Sequence, residues 1–215
     1  MLMELLMKTN GRWWFRALVA LALPLLITSC ATRDTRHRVV ISVPEQRMVV
    51  LEEGRPVSSY PISTSKFALA DTPGSRGTPL GELEIAKKIG GGAPSGAVFK
   101  SRRRTGEILP PDAPGRDPIV TRILWLRGLE SQNANAYGRY IYIHGTAEER
   151  SIGTPASYGC IRMRSSDVIQ LYNRVGFGAR VTIANAPLAA ILPALPAPAT
   201  QVAAAAGSVD ALPGG

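Results

Sequence analysis

The chain has 215 residues, with 25 Lys and Arg against 16 Asp and Glu, a formal net charge of +9, and only two His and two Cys. That length suggests one domain with appendages, and the basic excess favours an anionic partner such as a phospholipid surface or a carboxylate-bearing polymer. Nucleic acid is a poor candidate for that partner, because the chain carries an export signal and no recognised nucleic-acid motif.

The export signal comes first. Lys8, Arg12 and Arg16 form a positive leader, Ala17 to Ile27 is a short apolar run, and Ile27-Thr28-Ser29-Cys30 closes it with small residues. A spanning helix needs about 20 apolar residues, more than this run supplies. The ending resembles a bacterial lipobox, which implies removal of residues 1–29 and a lipid on Cys30; an ordinary cleaved signal is the alternative. Removal takes Lys8, Arg12, Arg16 and Glu4, so 22 basic against 15 acidic residues leave a mature charge of +7. A lipidated Cys30 leaves Cys160 without a disulfide partner, and an odd free thiol in an exported chain flags reactivity. Ala31 after Cys30 points to the outer membrane, with the protein facing the periplasm.

Residues 30–37 are short, polar and charged, as in a tether. From Arg38 strand patterns begin. Val39, Ile41 and Val43 alternate, Met48 to Leu51 follows a turn at Pro44-Glu45-Gln46, and Glu53-Gly54 turns into Val57 to Ile62. Three short strands with tight turns predict an antiparallel meander. Pro73, Gly74, Gly77, Pro79 and Gly81 make residues 71–81 a loop. A strand over 82–88 ends at Gly90-Gly91-Gly92. The stretch 93–118, rich in Pro, Gly and Arg, reads as a long surface excursion with little structure of its own. Within it, Arg102-Arg103-Arg104 is either a substrate-facing patch or, more commonly for such runs, a solvated loop.

Further strands are predicted over 119–126 and 139–143, the second with His144 at its end. One helix is predicted, capped by Ser166, with Asp167 in its first turn and Val168, Leu171, Tyr172 and Val175 on one face. Gly176 and Gly178 stop it, and residues 179–183 supply a last strand. The mainly β domain spans 38–185. Residues 186–215, nearly all Ala, Pro and Gly, read as a disordered tail or linker.

The chemistry-bearing stretch is Ile143-His144-Gly145-Thr146 followed by Ser157-Tyr158-Gly159-Cys160-Ile161-Arg162-Met163. A thiol and an imidazole joined by a turning loop suit thiolate acyl chemistry, because the imidazole takes the thiol proton and the thiolate attacks a carbonyl. Gly159 permits close backbone approach, so the amides of Gly159 and Cys160 are candidate oxyanion donors. Arg162 either lowers the thiol pKa or grips a substrate carboxylate. Alone, Cys160 would read as a small buried hydrophobe and His144 as a satisfied strand-end residue. Their company with Gly159 and Arg162 favours catalysis. One His and one Cys do not make a structural zinc site, and His37 sits in the tether with no assigned role. No metal or cofactor is expected.

On these residues, with Thr78-Pro79-Leu80-Gly81 and Ile152-Gly153-x-Pro155, the chain resembles the L,D-transpeptidase catalytic domain (YkuD) over roughly residues 38–184. The resemblance implies a sandwich-like antiparallel or mixed sheet with a short helix near the active site. It implies Cys160 as acylated nucleophile, His144 as base, the Gly145 carbonyl orienting the imidazole, and Gly159 and Cys160 forming the oxyanion hole. Arg162 would support the site or bind substrate, with Tyr158 beside it. The implied substrates are peptidoglycan stem peptides, with an acceptor amine from diaminopimelate or a protein lysine. The family commonly has Ser-His-Gly-Cys where this chain has Ser157-Tyr158-Gly159-Cys160, and a tyrosine with a pKa near 10 is a poor base at neutral pH. Water as acceptor would make the protein an L,D-carboxypeptidase or endopeptidase, and Tyr158 also admits a non-catalytic wall-binding lipoprotein.

Overall fold

The computed structural model describes residues 32–192. The leader, Cys30 and the tail beyond Leu192 lie outside the described residues. The first three strands form the expected antiparallel meander: β1 (His37–Ser42), β2 (Arg47–Glu52) and β3 (Arg55–Pro61). Glu53 and Gly54 both take left-handed backbone angles, φ +50° and +80°, which matches the twist of a two-residue hairpin.

The last strand, β10 (Arg180–Ala184), lies parallel to β1 and antiparallel to β4 (Gly81–Ile89). The chain thus closes its final strand into the middle of the sheet. The order runs β3-β2-β1-β10-β4-β7-β5-β6, with β7 at Ile119–Gly128; β8 (Tyr142–Thr146) pairs with β7, and β9 (Ile161–Met163) pairs with β8. This is the predicted sandwich-like mixed assembly, built as one curled sheet. Its main core joins β1 to β9 through Ile41, Leu83, Leu126, Ile143 and Ile161, all fully buried. Each such side chain contributes roughly 1.5–3 kcal/mol by leaving water.

The helix α1 (Ser165–Arg174) packs Val168 and Leu171 into this core beside β7 and β8. Ser166 is not its cap. Arg164 holds the N-cap position without a side-chain bond, and the first-turn amide of Ser165 donates to Glu149 Oε1 at 2.7 Å. A carboxylate from a neighbouring segment therefore takes the place of a local cap.

Two other expectations are corrected. Residues 93–118 are not structureless: β5 (Ala97–Lys100) and β6 (Arg103–Ile108) form a hairpin whose Ser101-Arg102 turn is left-handed, φ +49° and +66°. The predicted strand 139–143 starts later, so His144 sits in the middle of β8 rather than at its end. At the chain ends, Arg33 pairs with Glu84 and Asp34 accepts from the Gly176 amide, so the stretch before β1 lies against the body. After β10 the chain reverses through α2 (Leu188–Ile191), and Leu188, Ile191 and Leu192 cover Val40 and Leu51. Residues 34–38 and 191–192 then line one cavity of about 630 Å³.

Candidate active site

β8 and β9 run parallel, with His144 opposite Arg162 and Ile143 opposite Ile161. Side chains alternate along a strand. Because Ile143, Ile161 and Met163 enter the main core, His144 and Arg162 face the other side. Cys160 directly precedes β9 and packs with the second cluster around Trp125 and Tyr142 on that same side. Ordinary strand spacings put its Cα about 8 Å diagonally from that of His144. Parallel pairing thus converts a 16-residue separation into a shared face.

Gly145, next to His144, is packed closely against β7 and α1. A Cβ there would lie 2.7 Å from Val120 O and 3.2 Å from Val168 Cγ1, so only glycine lets β7 and α1 approach at this point. His144 Nδ1 lies 2.9 Å from Gly145 O. A carbonyl can only accept, so Nδ1 is inferred to carry the proton and Nε2 a free lone pair. Burial pushes the His144 pKa down to about 4; the Gly145 bond and Asp117 oppose that fall, while Arg162 adds to it. The ring is neutral at pH 7 and able to accept a proton.

Cys160 is half-buried and opens into a cavity of about 420 Å³ with Gly74, Arg76, Arg139, Ile141 and Tyr158. Its thiol donates to Tyr140 O at 3.4 Å. Burial pushes the thiol pKa up to about 11, against the opposing pull of the Tyr142 amide, Arg162 and Arg139. Arg162 thus acts in the expected direction, but desolvation wins. At rest both the thiol and the imidazole are neutral, and the thiol is bonded to Tyr140 O rather than to the ring.

The Gly159 amide is engaged in the resting turn. Gly159 is left-handed at φ +122°, and a Cβ there would lie 3.0 Å from Gly77 O. Its amide, however, donates to Ser157 Oγ at 3.1 Å, while that hydroxyl donates to Cys160 O. The local serine turn uses up the Gly159 donor. Cys160's own amide enters no such turn, so it is the remaining member of the expected pair.

Arg162 is only 8% exposed. It pairs with Asp117 Oδ2 at 2.9 Å and Glu148 Oε2 at 3.6 Å, and Thr146 Oγ1 also donates to Asp117. Of the two roles open to it, support of the site matches this placement; its guanidinium is already engaged. Tyr158 lies apart from this network, 55% exposed at the cleft mouth. It tilts against Phe67 at 5.2 Å between ring centres. Arg102 reaches back from its hairpin over Trp125 and Tyr140, 5.1 and 4.9 Å from their rings.

Several site residues carry no local signal. Arg139, its side chain 9% exposed, pairs with Asp71 at 2.7 Å and also donates to Ala70 O and Gly77 O. Thr78 donates to Gly159 O at 3.1 Å and accepts from the Ser65 amide at 2.9 Å. Together they strap the 68–78 loop against the cysteine turn. Thr78 belongs to the Thr-Pro-Leu-Gly segment already quoted. Asp71, Asp117 and Arg139 are isolated letters in the sequence.

The profile of the L,D-transpeptidase catalytic domain, YkuD, matches residues 36–183. The chain therefore belongs to the L,D-transpeptidase catalytic domain family. The Bacillus subtilis (strain 168) protein YqjB, named for the same family, is 44% identical over 147 residues, covering 68% of this chain and 70% of that protein. The probable L,D-transpeptidase YbiS of Escherichia coli (strain K12) is 30% identical over 161 residues, covering 73% of this chain. The probable L,D-transpeptidase YcfS of the same strain is 28% identical over 157 residues, covering 71%. The chain spans about half the length of these two Escherichia coli relatives, 48% and 45%.

Proposed function

We propose that this chain is a cysteine-dependent L,D-transpeptidase acting on peptidoglycan stem peptides through a thioester on Cys160. One observation carries the reading: the half-open sulfur and a neutral imidazole with a free Nε2 lie on one face of the β8–β9 pair. Sulfur attacks the carbonyl at the L-centre of diaminopimelate as its proton passes to His144 Nε2. The carbonyl oxygen gains charge beside the Cys160 amide. The C–N bond then breaks, and the imidazolium returns its proton to the departing D-amino acid amine. An acceptor amine, from a diaminopimelate side chain or a protein lysine, attacks the thioester after losing a proton to the same nitrogen, and sulfur leaves as the thiol.

The family membership, the Cys160–His144 placement and the basic mature chain support this reading, the last because stem peptides carry carboxylates. The leader pattern supports export and anchoring by a lipid on Cys30, with the outer membrane favoured by Ala31. Incubation of the purified protein with tetrapeptide muropeptides tests the reaction. Mass spectrometry should find dimers with the wild type and none with Cys160→Ala. Dimers formed equally by C160A would remove Cys160 from the chemistry, and shortened monomers without dimers would make water the acceptor.

A further inference from the structure

Arg76 is the part of the cleft that the chemistry above leaves unused. It lines the cavity into which Cys160 opens, and its backbone abuts the cysteine turn: a Cβ on Gly159 would lie 3.6 Å from the Arg76 carbonyl carbon. The other guanidinium in that wall, Arg139, is taken up by Asp71 and by backbone carbonyls. Among the described residues no carboxylate lies within ion-pair distance of Arg76 or of its neighbour Lys66.

Two further observations concern how Arg76 is held, one of its backbone and one of its side chain. Its backbone is left-handed, φ +55°, a setting that non-glycine residues seldom keep unless the surroundings impose it. Here Ser65 Oγ donates to Arg76 O at 2.7 Å, and Arg139 Nη2 donates to the next carbonyl, Gly77 O, at 2.8 Å. The guanidinium then rests on an exposed aromatic shelf, with Cζ 5.6 Å from the Tyr158 ring and 5.7 Å from the Phe67 ring. Lys66 Nζ shares both rings at 4.9 and 5.4 Å. Two like charges held over the same pair of rings repel each other, and an anion between them relieves that repulsion.

We propose that Arg76, with Lys66 on the Phe67–Tyr158 shelf, forms a subsite for a donor-peptide carboxylate adjoining the bond that Cys160 attacks. This deepens the proposed function and rests on it. The carboxylate carbon of the departing D-amino acid lies under about 4 Å from the attacked carbonyl carbon, within the cavity that Arg76 and Cys160 share. Tyr158, where the family commonly has histidine, becomes part of a recognition surface rather than a base.

Peptide titration into C160A protein tests the subsite without turnover. Three tetrapeptide donors are compared: free acid, C-terminal amide, and side-chain amide of diaminopimelate. The free acid should bind C160A about 10-fold more tightly than the C-terminal amide, as expected for a partly exposed charge-assisted contact. The double variant C160A/R76Q should bind the two alike. If the side-chain amide is instead the ligand that C160A disfavours and R76Q equalises, the same subsite reads the diaminopimelate carboxylate. Equal discrimination with and without Arg76, or no discrimination in C160A, overturns the proposal. Turnover by the wild type is read separately: a lack of any product from the free acid would overturn the transpeptidase reading while leaving the carboxylate preference standing.

Discussion

Raising the pH should switch on Cys160 more slowly than it does a free cysteine. With the thiol pKa pushed up to about 11 from an ordinary 9.0, the thiolate fraction at pH 7 falls from about one in 100 to about one in 10,000. Intrinsic thiolate reactivity rises with basicity by a Brønsted slope of about 0.4–0.5. Across these two units that recovers roughly 6- to 10-fold, so the net reaction should be about 10-fold slower than for an unhindered cysteine peptide. The assay is the rate of mixed-disulfide formation with a small neutral aromatic disulfide, followed from pH 6 to 11. The rate should climb about tenfold per pH unit up to roughly pH 10 and level off only near 11. His144→Gln should leave this climb in place, because the resting sulfur owes its proton affinity to burial first. A rate that is already flat between pH 5 and 8 would mean a thiolate–imidazolium pair, and the neutral resting state would be refuted.

Acid should destabilise the fold through His144. Its pKa of about 4 in the folded chain against 6.5 unfolded means the unfolded state takes up the proton first as pH falls. The associated stability of about 3 kcal/mol is complete above pH 6.5 and lost on the way to pH 4. Urea unfolding of wild type and H144Q at pH 7 and pH 4 should show the gap between them shift by that amount in the variant's favour; an unchanged gap refutes a buried neutral ring. The Asp71–Arg139 pair, 3% and 9% exposed at its side chains, makes a separate expectation. Asp71→Asn strands a buried guanidinium and should cost about 3 kcal/mol in urea unfolding. It should also lower transfer activity by loosening the loop against Gly159, and a loss below 1 kcal/mol would show the pair to be dispensable.

The meander was legible because short apolar runs at Val39–Ile41 and Met48–Leu51 are bounded by the turn residues Pro44-Glu45-Gln46 and Glu53-Gly54, and α1 because its apolar residues repeat at helical spacing. β6 was not, since all six of its residues are exposed and no burial pattern marks them. Pairing with β5 holds it, which is a tertiary fact. At the site, His144 and Cys160 were legible because their flanking glycines are local and their types are rare. Asp71 and Arg139, 68 positions apart, meet only once the 68–78 loop folds across the cysteine turn. The bond from the Gly159 amide to Ser157 was not legible, because it depends on a side-chain rotamer, to which spacing is blind.

The return of α2 over β1 brings the start and the finish of the described body to one side, where Asp34 and Leu192 border the same hollow. An attachment at either terminus would therefore suspend the domain from a single point. Neighbouring termini also make the body a natural candidate for circular permutation: a short bridge across that hollow, with new ends cut elsewhere on the surface, should preserve the order of the strands in space while scrambling it along the chain.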